Sequence, residues 1–219
     1  MFTEPLNRYL HTEVKSINDL RISPRQERSR RTLDVILDTT AAVVAADGFT
    51  AVTTADIAER AGIAIGTFYR FYPDREALLT ALRTRTYTAY LEHLIAAYDR
   101  KTPRTWKQAV STMIDINIEC YRTIPAFAIV HLSLLAADAD EREAHLRRAA
   151  LYLEAIVESL AEFGLPSSKA WRTRLEVALE QASALTALAF LRDPEGDRRI
   201  LAEARRLPID YLQEYAASL

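Results

Sequence analysis

Between Ala55 and Leu79 the chain reads ADIAERAGIAIGTFYRFYPDREALL, a stretch whose punctuation leaves little freedom of fold. Ile57, Ala58 and Ala61 give a first short helix one apolar face, and Gly62 supplies a sharp turn after it. Phe68 and Tyr72 anchor a second short helix, which Pro73-Asp74 stops. Two short helices about a tight turn make a helix-turn-helix, in which the first braces a second that can lie in a DNA major groove. The side chains left over on that second helix are Thr67, Tyr69 and Arg70, all able to hydrogen-bond phosphates or base edges. Ile57, Phe68 and Tyr72 are expected in the core.

The rest of the chain is helical by the same reasoning. Only 5 Gly and 8 Pro occur in 219 residues, and most fall at boundaries, which favours long uninterrupted helices. Leu6, Leu10, Val14, Ile17 and Leu20 predict a short amphipathic helix ahead of Ser23-Pro24; the spacing leaves open whether it docks. A helix over about 28–46 would bury Leu33, Ile36, Leu37, Ala41 and Val44, and Thr54 is placed to cap the helix that follows. After Asp74, a long helix over 75–98 carries Leu78, Leu82, Tyr90, Leu91, Leu94 and Ile95 at helical spacing. Five more helices are expected over 104–123, 125–137, 139–163, 168–192 and 196–217, with Pro208 kinking the last. The predicted fold class is all-α.

The residues from about Ser29 to Leu79 resemble the DNA-binding domain of the tetracycline-repressor-like (TetR) family of bacterial regulators. The resemblance rests on Asp47-Gly48-Phe49, Thr53-Thr54-Ala55-Asp56-Ile57-Ala58, Ala61-Gly62-Ile63, Gly66-Thr67-Phe68-Tyr69-Arg70 and Tyr72-Pro73-Asp74-Arg75-Glu76-Ala77-Leu78-Leu79, in order. It implies a three-helix DNA-binding domain over 23–80, behind an extension over 1–22. It also implies a helical ligand-binding and dimerisation bundle over 81–219. The implied activity is that of a ligand-responsive repressor of bacterial cytoplasm, bound as a homodimer to paired half-sites in double-stranded DNA. The alternative is a helical binding protein of the same fold with lost or altered DNA recognition.

By that resemblance Thr67 and Tyr69 contact phosphate or bases, Thr54 binds a phosphate, and Arg75 grips the backbone from the start of the long helix. Gly66, lacking a side chain, lets the backbone approach DNA. Ala64 and Ile65 stand where the family often has polar residues; they can touch thymine methyls but cannot read hydrogen-bond patterns. Arg21, Arg25, Arg28, Arg30 and Arg31 gather against one acid, Glu27, just before the motif. Such a cluster reads as a basic arm for phosphates or the minor groove, with Arg28 and Arg30 as the candidate contacts. The overall charge of −2 is no obstacle, because distribution matters more than the sum.

In the second half, the family implies a dimer through the last two helices. The faces expected there are Leu175, Ala178, Leu179, Ala182, Leu185, Ala189 and Phe190, then Ile200, Leu201, Ala204, Leu207, Tyr211, Leu212 and Tyr215; such faces can equally be core. A small, largely apolar effector is expected among Leu94, Tyr98, Trp106, Met113, Asn117, Tyr121, Phe127 and His131. Other classes find little support. There is no Gly-rich phosphate loop, no Cys-rich metal spacing, and the 4 histidines are scattered, so no catalytic, metal or cofactor site is predicted. One cysteine, Cys120, excludes an intramolecular disulfide, and no apolar run is long enough for a membrane span.

Overall fold

A computed structural model describes residues 2–15, 24–127 and 139–216. Every regular element among them is helical. The chain opens with α1 (Glu4–Tyr9), which runs into a π-helical turn (Leu10–Lys15). There follow α2 (Pro24–Asp47), a 3-10 turn (Phe49–Ala51), α3 (Thr54–Arg60) and α4 (Ile65–Phe71). Then come α5 (Arg75–Arg100), α6 (Trp106–Thr123), α7 (Ala139–Ala161), α8 (Lys169–Arg192) and α9 (Arg198–Ala216). Beyond Phe127, the helix expected over 125–137 lies outside the described residues.

Local chemistry sets these limits. The side chains of Asp74, Thr105 and Ser168 accept the backbone N–H of Ala77, Gln108 and Trp171 at 2.8, 3.2 and 3.2 Å, starting α5, α6 and α8. Gly62 closes α3 at φ +67°, where an L side chain is strained, and so turns the chain towards α4. α2 begins at Pro24 instead of near Arg28. A proline at the first helical position forfeits no hydrogen bond and brings its φ already set. The stretch from Arg25 to Arg31, expected as a basic arm, is therefore the opening of a helix.

Two apolar cores result. The first takes Ile36, Leu37, Ala41, Val43 and Val44 from α2, with Ile57, Ala58, Phe68 and Tyr72 as expected, and Leu78, Leu79 and Leu82 from α5. The second is built by α5 to α9, with Tyr90, Leu91, Leu94, Ile95 and Tyr98 as the share of α5. α5 thus passes through both. Between them the hydroxyls of Thr84, Thr86 and Thr88 bond back to the carbonyls of Thr80, Leu82 and Thr84 at 3.0, 2.8 and 2.8 Å. From the turn after α6, Ala126 also joins the first core, at φ +63°.

The N-terminal segment docks. Phe2, Leu6, Tyr9 and Leu10 are all buried in the second core, against α5 and α7. Of the other positions expected on this helix, Val14 has no described side chain, and Ile17 and Leu20 lie outside the described residues.

Candidate nucleic-acid interface and ligand site

α4 buries Phe68, packs Phe71 partly against the same core, and shows its other face to solvent. Phe68 is fully buried, with the ring of Tyr72 at 5.9 Å and the edge of Tyr69 at 5.6 Å. Ile65 and Tyr69 remain 45% and 50% exposed, large for apolar and aromatic side chains on so short a helix. Ala64, Gly66 and Arg70 are exposed beside them, and Thr67 is half-buried. Among the described residues nothing beyond its own helix backbone and chain neighbours lies within 4 Å of where a Gly66 side chain would begin, so the packing around it does not require glycine. Arg70 spreads its guanidinium 5.3 Å from the Phe71 ring centre.

The two threonines at the start of α3 divide the work differently from the expectation. Thr53, not Thr54, is the cap: its hydroxyl accepts the Asp56 N–H at 3.2 Å. Thr54 is thereby free to turn its hydroxyl to that of Tyr69, 3.0 Å away. The structure therefore joins Thr54 and Tyr69, fifteen residues apart, into one exposed polar pair. Arg75 faces inward. Its Nε donates to the Val52 carbonyl at 2.9 Å and a terminal nitrogen to the Phe49 carbonyl at 2.6 Å, while the other pairs with Glu76. It ties the 3-10 turn to α5. Arg30 is exposed on α2, and the side chain of Arg28 lies outside the described ones.

Of the expected ligand-site residues, Leu94, Tyr98, Met113, Tyr121 and Phe127 share the second core, and Trp106 packs against it. Asn117 is half-buried on α6, and His131 lies outside the described residues. The Tyr98 hydroxyl donates to the Ala109 carbonyl at 2.8 Å. Tyr121 stacks on Phe190 at 5.0 Å and meets Phe127 edge-on at 5.2 Å. Sequence reasoning missed the residues beside them. Tyr87 and Tyr90 of α5, Tyr152 of α7 and Tyr9 of α1 form an aromatic cluster in which the Tyr90 and Tyr152 hydroxyls lie 2.9 Å apart. The one signal was the spacing of Tyr87 and Tyr90, three apart on one helix face. Burial holds all four of the phenols Tyr87, Tyr90, Tyr98 and Tyr152 above their ordinary range, so they serve as neutral hydrogen-bonding groups.

On the last two helices, core holds for much of the expected faces. Leu175, Ala178, Ala182 and Ala189 of α8, and Leu201, Ala204 and Leu212 of α9, are buried inside the protomer. Leu179, Phe190, Ile200, Tyr211 and Tyr215 pack partly against the same core. The wide apolar faces are core because each helix buries its stripe against the other. What stays outside is a narrower row on α8, Val177, Leu188 and Leu191, exposed by 45%, 39% and 75%. Exposed Ala184 lies in the same row.

Residues 36–82 match the family described as bacterial regulatory proteins of the tetR family, and residues 104–216 match the tetracyclin repressor-like C-terminal domain. The chain is 34% identical over 89 residues to the HTH-type transcriptional repressor KstR of Mycolicibacterium smegmatis, 41% of each chain. It is 37% identical over 70 residues to the protein of that name from Rhodococcus jostii, 32% of this chain and 31% of the other. It therefore spans well under half the length of these relatives. A TetR-family regulator from Streptomyces coelicolor superposes with TM-score 0.71 at 29% identity, covering 85% of this chain and 98% of the other. A TetR-family regulator from Marinobacter aquaeolei, at 18% identity and TM-score 0.63 over 85% and 97%, shares the fold. No helix of the described residues is long and apolar enough to cross a membrane. With the C-terminal model spanning more than half of the chain and the N-terminal model covering the helix-turn-helix, the chain belongs to the TetR family of bacterial regulatory proteins.

Proposed function

We propose that this protein is a sequence-specific transcriptional repressor that binds paired half-sites as a homodimer and leaves them when a small, largely apolar molecule occupies the second core. The observation that carries the reading is the outer face of α4. Ile65, Gly66, Tyr69 and Arg70 are exposed together, and Thr54 extends the polar end of that face from α3. A phosphate can accept from both hydroxyls while Ile65 and Ala64 meet thymine methyls in the groove. Arg30 adds a cation on α2, and Arg75 acts by holding the turn that carries α3 in place. The division of labour falls along α5, DNA recognition before about residue 80 and ligand binding after it.

The row Val177, Ala184, Leu188 and Leu191 supports α8 as the dimer surface, and two protomers supply the paired recognition helices. The reading is of a binding protein working beside its DNA in the cytoplasm, not an enzyme. The effector acts through α5, whose one end lies among the ligand-site residues and whose other end shares the first core with Phe68 of α4. It must favour the DNA-incompetent arrangement, or it shifts nothing. Selection of bound fragments from a random DNA pool at two salt concentrations tests the reading. A palindrome retained at the higher salt is expected. Salt-sensitive binding without a consensus would favour the helical binding protein that has lost DNA recognition.

A further inference from the structure

We propose that the groove filled by residues 2–10 is itself a ligand site, with the N-terminal segment as its built-in occupant. The displacing ligand is a neutral, elongated, ring-bearing molecule with one hydrogen-bond donor. The inference rests on the reading that the second core takes a small molecule, and it names where and of what chemistry. Phe2 sets its ring edge-on to Tyr98 at 4.9 Å and 5.5 Å from Phe163. Roughly 10 Å along the segment, by helical rise, Tyr9 stands between Tyr87 and Tyr152, ring centres 6.4 and 5.9 Å away. Its hydroxyl donates to the Arg148 carbonyl at 3.1 Å and lies 3.2 Å from the Tyr87 hydroxyl. Leu6 fills the space between and is buried.

At three points the groove accepts from the segment. Asp99 takes the Thr3 hydroxyl at 3.1 Å, Glu158 pairs with Arg8, and the Arg148 carbonyl takes Tyr9. Two carboxylates repel an anionic ligand, and the Arg148 carbonyl, though held within its own helix, offers the second lone pair that Tyr9 now fills, so a neutral molecule with a donor is the match. The occupant is built to leave. α1 has six residues, too few for a helix that stands alone, and its ordering entropy opposes the burial of its apolar side chains. The walls belong to α5 through Tyr87, Tyr98 and Asp99 and to α7 through Arg148, Tyr152 and Glu158. Exchange of occupant therefore acts on the helix that enters the first core.

The test uses the full chain, a Phe2→Asp/Leu6→Asp variant, and N-phenyl-1-naphthylamine, a neutral dye whose naphthyl and phenyl groups flank one N–H and which fluoresces in apolar surroundings. The variant is expected to bind one dye per protomer about tenfold more tightly than the parent. A free peptide of residues 1–12 is expected to displace it. A variant of unchanged helical content that binds dye no better, or whose dye the peptide does not displace, overturns the proposal. Should the double variant fail to fold, Arg8→Glu changes an exposed residue only. It is expected to tighten dye binding about two- to fivefold, the size of one surface ion pair, with Glu158→Arg restoring the parent value; no change overturns the proposal. Affinity for DNA selected from the pool is read separately. Dye that fills the groove without moving that affinity upholds the groove and overturns the effector reading.

Discussion

The hydroxyls of Thr54 and Tyr69 lie 3.0 Å apart and bridge the outer faces of α3 and α4. Each is exposed enough to exchange its partner for a phosphate oxygen. Tyr69→Phe and Thr54→Val are each expected to weaken DNA binding by about 1–2 kcal/mol, roughly tenfold. The double variant should lose less than the sum, since the two hydroxyls act on one acceptor. Fluorescence anisotropy with selected DNA measures both, and unaltered melting temperatures would show that the fold is not the cause.

Arg75→Gln is expected to act first on stability. It removes donors from the Phe49 and Val52 carbonyls, and hydrogen bonds from a charged group are worth about 1.5–3 kcal/mol each before solvent screening. A lowered denaturant midpoint, with a salt slope of DNA binding changed by less than one phosphate's worth, is the predicted result. An unchanged midpoint with a slope lower by about one would make Arg75 a direct backbone contact instead.

Tyr152→Phe leaves the buried Tyr90 hydroxyl without the partner it has at 2.9 Å, at a cost of about 1–3 kcal/mol. The Tyr90→Phe/Tyr152→Phe double variant removes both polar atoms and is expected to recover part of that loss. Chemical denaturation of the three variants gives the coupling directly.

Burial, with Glu119 second, pushes the Cys120 thiol up from an ordinary 9.0 to about 12. A raised folded value means that the contribution to stability is complete below 9.0 and is lost as pH rises towards about 12. Tyr72 follows the same rule from 10.0 to about 12, chiefly through burial. The melting temperature is expected to hold up to about pH 9 and fall beyond it, and Cys120→Ala should delay the onset of that fall. At pH 8 the native thiol should alkylate far more slowly than the unfolded one.

Leu188→Glu/Leu191→Glu places charge on side chains that the protomer leaves exposed. Sedimentation is expected to show dissociation to single chains with helical content preserved. A dimer that survives would move the interface off α8.

Where one principle acted, the sequence was a sufficient guide. Phe68, Ile57 and the stripe of α5 are buried because apolar spacing admits one solution. Asp74 caps α5 because a lone acid precedes the helix. Spacing could not choose where residues have two local solutions. Thr53 and Thr54 can both cap, and the choice falls to Tyr69, a neighbour fifteen residues away. Arg75 is a cation in any reading, but only the fold reveals that the Phe49 and Val52 carbonyls lie within its reach. α8 is apolar over so much of its circumference that spacing could not separate its core stripe from the row at Leu188. The tyrosine cluster draws on α1, α5 and α7, and no local pattern announces a site assembled from three distant segments.

Among the described residues the two apolar cores adjoin along α5, at a waist where threonine hydroxyls bond back into their own helix, and at the turn that carries Ala126. So narrow a seam has an evolutionary corollary. Either end of α5 can drift, or be exchanged by recombination, with few matching changes at the other, so that lineages can keep an inherited recognition module while the sensor behind it diversifies.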